Sequence, residues 1–150
     1  MEKKNYDVLK LENQLCFPLY AASREVIKMY RPYLEPLGLT YTQYITMMVF
    51  WESGKISVKE LGKRLFLDSG TLTPVLKSLE AKGLVRRYRS ADDERVLNVE
   101  ITDAGTALKE RAMSVPTALT SFINLDADDA VKLYELLYKV LGTLNKENNG

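Results

Sequence analysis

The chain has 150 residues, 46% of them hydrophobic, with 21 basic and 20 acidic groups and a formal net charge of +1, a composition that suits one compact domain rather than two. A single cysteine and no histidine exclude an internal disulfide, most zinc sites, and the Ser-His and Cys-His pairs of hydrolytic enzymes. No apolar run of about eighteen residues and no secretory leader pattern occurs, so a cytoplasmic protein with no membrane contact, metal or cofactor is expected.

Charge is more informative by segment. Residues 1–54 carry six basic and six acidic groups, residues 55–95 ten and six, and residues 96–150 five and eight. The middle third is therefore the candidate footprint for a polyanion.

In chain order, the apolar spacing Leu11, Leu15, Leu19, Val26, Ile27, Tyr30 and Leu34 predicts one long helix. Pro18 either kinks it or marks a start near Phe17. Pro32, Pro36 and Gly38 are expected to end it. Thr40-Tyr41-Thr42-Gln43 has capping-box spacing and predicts a helix to about Glu52. Ser57-Val58-Lys59-Glu60 repeats the signature and opens a short helix to about Phe66. After a turn at 67–71, Leu72, Val75, Leu76 and Leu79 form one buried helical face, with an N-cap expected close to Thr71 and a stop at Gly83. Residues 85–89 and 96–101 then predict two strands around a charged tip, Ser90 to Arg95. Thr102 caps a helix expected from Asp103 to Phe122, and Asp126 begins the last. That helix bears Leu133, Leu136, Leu137, Val140, Leu141 and Leu144, a stripe wide enough for more than one neighbour.

Helix, short helix, turn, helix and a two-stranded ribbon is the order of a winged helix-turn-helix. The fold class expected is mainly α with a small β-wing. Ser69, Thr71, Thr73 and Lys77 would lie at the major groove, Arg95 at the wing tip would enter a minor groove, and Arg86, Arg87 and Arg89 would meet phosphates. Taken singly, these features are also read as ordinary capping and solvated surface.

Asp68-Ser69-Gly70-Thr71-Leu72-Thr73-Pro74, the wing segment Asp92-Asp93-Glu94-Arg95 with Thr102-Asp103-Ala104-Gly105 after it, and Gln14-Leu15-Cys16-Phe17 resemble the MarR family of dimeric winged-helix repressors. Within it the cysteine segment, Leu37-Gly38-Leu39-Thr40-Tyr41 and Trp51-Glu52 resemble the one-cysteine OhrR-type organic hydroperoxide sensors. The similarity runs from about Leu11 to Leu144. It implies a homodimer formed by helices at about 1–36 and 103–150, with a DNA-binding lobe at about 40–102 that counts Asp93 among its DNA-binding residues with Arg86 and Arg95 and binds a pseudo-palindromic operator on double-stranded DNA.

Cys16 on its own spacing is either a small buried hydrophobe or a reactive thiol, and the tyrosines around it either packing or O–H donors to a thiolate. The resemblance implies the second reading. Cys16 would be the redox-sensing residue, Tyr30 and Tyr41 would bond its sulfur from the other subunit, and Tyr20 would be a weaker third donor. Phe17, Leu19, Met48 and Phe50 would favour bulky organic hydroperoxides. With no resolving cysteine, the next step would be a mixed disulfide with a small thiol or irreversible over-oxidation. The rivals are a thiol peroxidase, a MarR-type repressor answering a small phenolic ligand or serving as a broader redox or virulence regulator with Cys16 secondary, and a winged-helix protein that contacts only proteins.

Overall fold

A computed structural model describes residues 4–148. Two single-turn 3-10 segments, Asp7–Leu9 and Leu11–Asn13, come first. The Asn13 amide donates to the Asp7 carbonyl at 2.7 Å, and the Gln14 amide to the carbonyls of Val8 and Lys10 at 2.7 and 2.9 Å. Gln14 is extended (φ −97, ψ 115), so the helix expected from Leu11 begins only at Cys16 and runs as α1, Cys16–Leu34. Pro18 falls in its first turn, where a missing N–H breaks no helical bond, and introduces no kink. Pro32 does not end the helix; it lies inside the last turn. Its lost bond would have gone to the Lys28 carbonyl, on an exposed stretch where water can replace it. The chain turns instead through a 3-10 turn at Glu35–Leu37 and Gly38, whose φ of 68 suits a residue without Cβ.

The capping box forms as expected at the start of α2, Tyr41–Ser53: Thr40 Oγ1 accepts the Gln43 N–H at 3.3 Å, and Gln43 Oε1 accepts the Thr40 N–H at 3.1 Å. Strand β1, Lys55–Ser57, leads into α3, Val58–Leu65, capped by Ser57, which accepts the Glu60 N–H at 3.1 Å. The Glu60 carboxylate pairs with Lys63 rather than returning to the cap. Helix α4, Ser69–Ala81, starts earlier than expected because Asp68, not Thr71, is its N-cap and accepts the Thr71 N–H at 2.7 Å. Pro74 thus sits in the second turn and denies the Gly70 carbonyl its helical donor at an exposed position.

Strands β2, Val85–Arg89, and β3, Leu97–Ile101, form the wing, but the sheet has three strands in the order β1-β3-β2. Ile56 and Arg87 flank Val99 in antiparallel register. The helix expected over 103–122 is broken into α5, Asp103–Ala112, and α6, Ser114–Leu119. Pro116, third in α6, has no N–H for the Ala112 carbonyl. Asp126 Oδ1 accepts the Asp129 N–H at 2.8 Å, and α7 spans Ala127–Asn148.

Met47, Phe50, Leu61, Leu72, Leu79 and Val99 are at most 1% exposed and centre the core on the winged lobe. The outer helices are not covered in this way. Leu133, Leu136, Val140 and Leu144 of α7 are 44–53% exposed, and Phe17 and Leu19 of α1 are 40% and 45% exposed. The chain thus carries an apolar face that its own core does not use. None of the described helices is long and apolar enough to cross a membrane.

Candidate redox centre and nucleic-acid interface

Cys16 is the first residue of α1, and its thiol is exposed, which removes the buried-hydrophobe reading for the single chain. The N-cap Leu15 offers no side-chain acceptor, so the free N–H groups of the first turn and the helix dipole present positive potential beside the sulfur. A shallow groove lined by Lys10, Leu11, Glu12 and Phe17 adjoins it. Phe17, Leu19 and Met48 are exposed, but Phe50 is 1% exposed in the core and lines nothing near Cys16.

Tyr30 lies fourteen residues along the same helix from Cys16, about 21 Å away at about 1.5 Å per residue. It packs against Tyr41 of α2 with ring centroids 4.8 Å apart and the rings tilted by 58°, and Tyr44 lies 5.9 Å from Tyr30 and 6.4 Å from Tyr41. Burial first, then the neighbouring Tyr30, pushes the Tyr41 phenol above its ordinary pKa; Tyr44 is raised by burial, Tyr30 and Tyr41 in that order. Both phenols therefore keep their protons, and with them their donor capacity, throughout the neutral range. The fold brings Tyr30 and Tyr41 together and holds both away from the Cys16 of their own chain. Tyr20, one turn beyond Cys16, is engaged elsewhere: its hydroxyl accepts from Arg24 at 3.0 Å and its ring lies 5.5 Å from that guanidinium.

The aromatic run extends beyond the expected residues. Tyr44 packs edge-on against Trp51 at 6.3 Å, and Trp51 Nε1 donates to the Gly105 carbonyl at 2.9 Å, where α5 leaves the wing. The spacing Tyr41, Tyr44, Met48, Trp51 holds one helical face, a period visible in the sequence once α2 is placed.

On the other side of the lobe, Ser69, Thr71, Thr73 and Lys77 of α4 are all exposed. Ser69, Thr73 and Lys77 follow one another at four-residue spacing along one face, and Thr73 Oγ1 donates to the Ser69 carbonyl at 2.7 Å. Thr71 stands on the opposite flank, at the Asp68 cap. Gly70 and Pro74 between them carry no polar side chain, leaving the surface open to close approach. At the wing tip Arg95 is 90% exposed and held by Asp93 through two bonds of 3.0 Å, one to each carboxylate oxygen. The Asp93 carboxyl is lowered by these bonds and by the Arg95 N–H. The carboxylate thus aims the guanidinium outward while part of its edge stays free.

The strand arginines divide. Arg86 pairs with Glu100 on β3 and lies 5.1 Å from the Tyr88 ring, yet remains exposed. Arg87 was expected to meet phosphate, but its side chain is 23% exposed and taken up by Glu80 of α4, at 3.0 Å from the guanidinium, with the Arg87 N–H donating to the same carboxylate at 2.8 Å. It fastens wing to helix. Arg89 is exposed, with no ion pair among the described residues. Those residues contain no cluster of ligating side chains able to hold a metal ion.

The family Transcriptional regulator SarA/Rot matches residues 28–112. The chain is 45% identical to the organic hydroperoxide resistance transcriptional regulator of Bacillus subtilis (strain 168) over 148 residues, 99% of this chain and 100% of that one. Among solved structures it is similar to reduced AbfR bound to DNA (34% identity, TM-score 0.76, 91% of this chain and 95% of that one). It is also similar to a mutant MarR from E. coli complexed with operator DNA (28% identity, TM-score 0.77, 92% and 99%). The relatives are transcriptional regulators, and this chain belongs with them, in the MarR family of winged-helix regulators and its OhrR-type branch.

Proposed function

We propose that the protein is a cytoplasmic, homodimeric, non-enzymatic repressor that binds a pseudo-palindromic operator and releases it when an organic hydroperoxide oxidises Cys16. The observation that carries the reading is the placement of the one thiol. It is exposed at the start of α1, about four helical turns from the Tyr30–Tyr41 pair on its own chain, and flanked by an apolar face that a second copy would cover. Helices α1, α5, α6 and α7 build that seam in a twofold arrangement, and Tyr30 and Tyr41 of one subunit reach the sulfur of the other. The lobe at about 40–102 supplies Ser69, Thr71, Thr73 and Lys77 to the major groove. Arg95, steered by Asp93, goes to the minor groove, and Arg86 lies along the phosphates.

In the chemical step the Cys16 thiolate attacks the O–O bond of the hydroperoxide. Sulfur is oxidised by two electrons to the sulfenic acid, and the departing alkoxide takes a proton and leaves as the alcohol. A small thiol then condenses with the sulfenic acid to a mixed disulfide, releasing water. The added bulk separates the phenols from the sulfur and changes the spacing of the two α4 helices, which must match half-sites about 34–36 Å apart.

The test is duplex binding at fixed salt before and after an organic hydroperoxide, with mass spectrometry of Cys16. Wild-type protein is expected to consume about one equivalent per subunit and lose operator affinity, while Cys16→Ser binds and does not respond. Equal affinity of reduced and oxidised protein, or an unchanged response in Cys16→Ser, overturns the reading.

A further inference from the structure

The Tyr30–Tyr41 pair and the recognition helix α4 lie on opposite sides of α2, and one buried side chain joins them. Gln43 is 6% exposed and sits between Tyr41 and Tyr44 in the sequence. Its Oε1 accepts two donors, the Thr40 N–H at 3.1 Å and Lys82 Nζ at 2.9 Å, while its Nε2 donates to Ser78 Oγ at 2.9 Å. Two donors facing one atom fix the amide orientation. Ser78 belongs to the last turns of α4 and Lys82 is its C-cap; Lys82 Nζ also donates to the Gly38 carbonyl. Gly38 and Thr40 form the corner between α1 and α2, where Tyr30 meets Tyr41. The Gln43 amide and the Lys82 ammonium it accepts from thus together tie the C-terminal end of the recognition helix to the corner that holds the phenols.

We infer that Gln43 is the positioning residue through which the state of the Cys16–tyrosine seam is passed to the recognition helix. A capping glutamine that served only its own helix would need the Thr40 contact alone; here the same side chain spends both polar ends on α4 and its cap. Gln43 itself is buried, while Ser78 is half-buried and Lys82 is exposed, so an amide that loses these partners is left without a ready replacement at the Gln43 end, and a displacement of Tyr41 is passed on through it. The wing is fastened instead to α4 itself, through Arg87 and Glu80.

This inference rests on the proposed peroxide response and is tested by the ratio of operator dissociation constants, oxidised over reduced, at one salt concentration. Wild-type protein is expected to show a ratio within the usual range for coupled sites, about 5–150. Gln43→Leu removes both polar ends at similar volume and is expected to bring the ratio below about threefold, with Cys16 still oxidised by mass spectrometry. Gln43→Glu keeps acceptors for Thr40 and Lys82 and takes the Ser78 hydroxyl as donor, and is expected to restore the wild-type ratio. Ser78→Ala cuts the tie from the α4 side, and its ratio decides the matter should Gln43→Leu not fold. A merely structural Gln43 would weaken binding in both redox states and leave the ratio at the wild-type value, and that result overturns the inference. A wild-type ratio near one instead overturns the peroxide-sensing reading itself.

Discussion

Of the described glycines Gly105 has the least room for a side chain, and Gly105→Ala turns that geometry into a measurable loss. A Cβ placed there would lie 2.2 Å from the Leu84 carbonyl oxygen and 2.7 Å from Ile101 Cγ1, so α5 must retreat from the sheet by more than an ångström. The retreat is resisted on all sides. The Thr102 N–H donates to the Leu84 carbonyl at 3.1 Å, Thr102 Oγ1 to the Gly83 carbonyl at 2.6 Å, and Trp51 Nε1 to Gly105 itself at 2.9 Å. Overpacking costs about 1–3 kcal/mol, and one or two of these bonds lost add about 1 kcal/mol each. The expected total is about 2–5 kcal/mol, a large part of a stability of about 5–15 kcal/mol. At about 2–4 °C per kcal/mol for a chain of this size, the melting temperature should fall by about 4–20 °C. Calorimetry at fixed protein concentration measures it, because melting of an oligomer depends on concentration. Trp51 is the sole tryptophan, so its emission should shift to the red in the folded variant. A melting temperature within about 2 °C of wild type, with unchanged emission, refutes the close-packed junction.

Acid titration tests the cap of the recognition helix. The Asp68 carboxyl is lowered by the Thr71 N–H and hydroxyl against a smaller opposing effect of burial. A depressed carboxylate contributes stability that is present above its unfolded pKa and is lost as pH falls through the folded one. Asp68→Asn should therefore be less stable than wild type at pH 7, with the difference closing only as pH drops below the usual carboxylate range. A difference independent of pH would discard the cap as its source. Salt titration separates the arginines: Arg95→Ala should reduce the slope of log affinity against log salt by about one per subunit if its charge meets phosphate or groove. Arg87→Ala should lower thermal stability and leave that slope unchanged, and a slope change in Arg87→Ala alone would reverse the assignment.

The lobe is the most legible part of the sequence, because its elements are set locally. Thr40 with Gln43, Ser57 with Glu60, and Gly83 after an apolar run each fix a boundary through bonds made within a few residues. The errors arise where distant contacts decide, or where two neighbouring residues offer the same cap. Strand β1 has three residues and pairs with β3 more than forty positions later, so no alternation marks it. Asp68 competes with Thr71 for the same cap, and only the backbone conformation at Asp68 (φ −76, ψ 165) settles which oxygen is used. Arg87 and Arg89 are indistinguishable in an alternating strand, but one faces Glu80 and the other solvent. Among the site residues, Cys16 and the tyrosines are plain as residue types. The engagement of Tyr20 by Arg24 and of Gln43 by Lys82 depends on which rotamers the packing selects.

Sensor and reader are separated by design of the helix rather than by a linker. Were α1 to begin at Leu11, Cys16 would lie in a continuous helical surface with its flanking carbonyl and N–H groups satisfied. Its start at Cys16 places the sulfur at a helix end with free donors, and the 3-10 turns before it leave Lys10, Leu11 and Glu12 around an open groove. The same helix carries Tyr30 to the corner where α2 begins, about 21 Å away. A sulfur and a phenol fixed to opposite ends of one rigid rod meet only when two rods run antiparallel, and in that arrangement each subunit's oxidation is felt at its partner's α2. The proposed response is thus built to act on the pair of recognition helices together, and half-site spacing is a property of that pair.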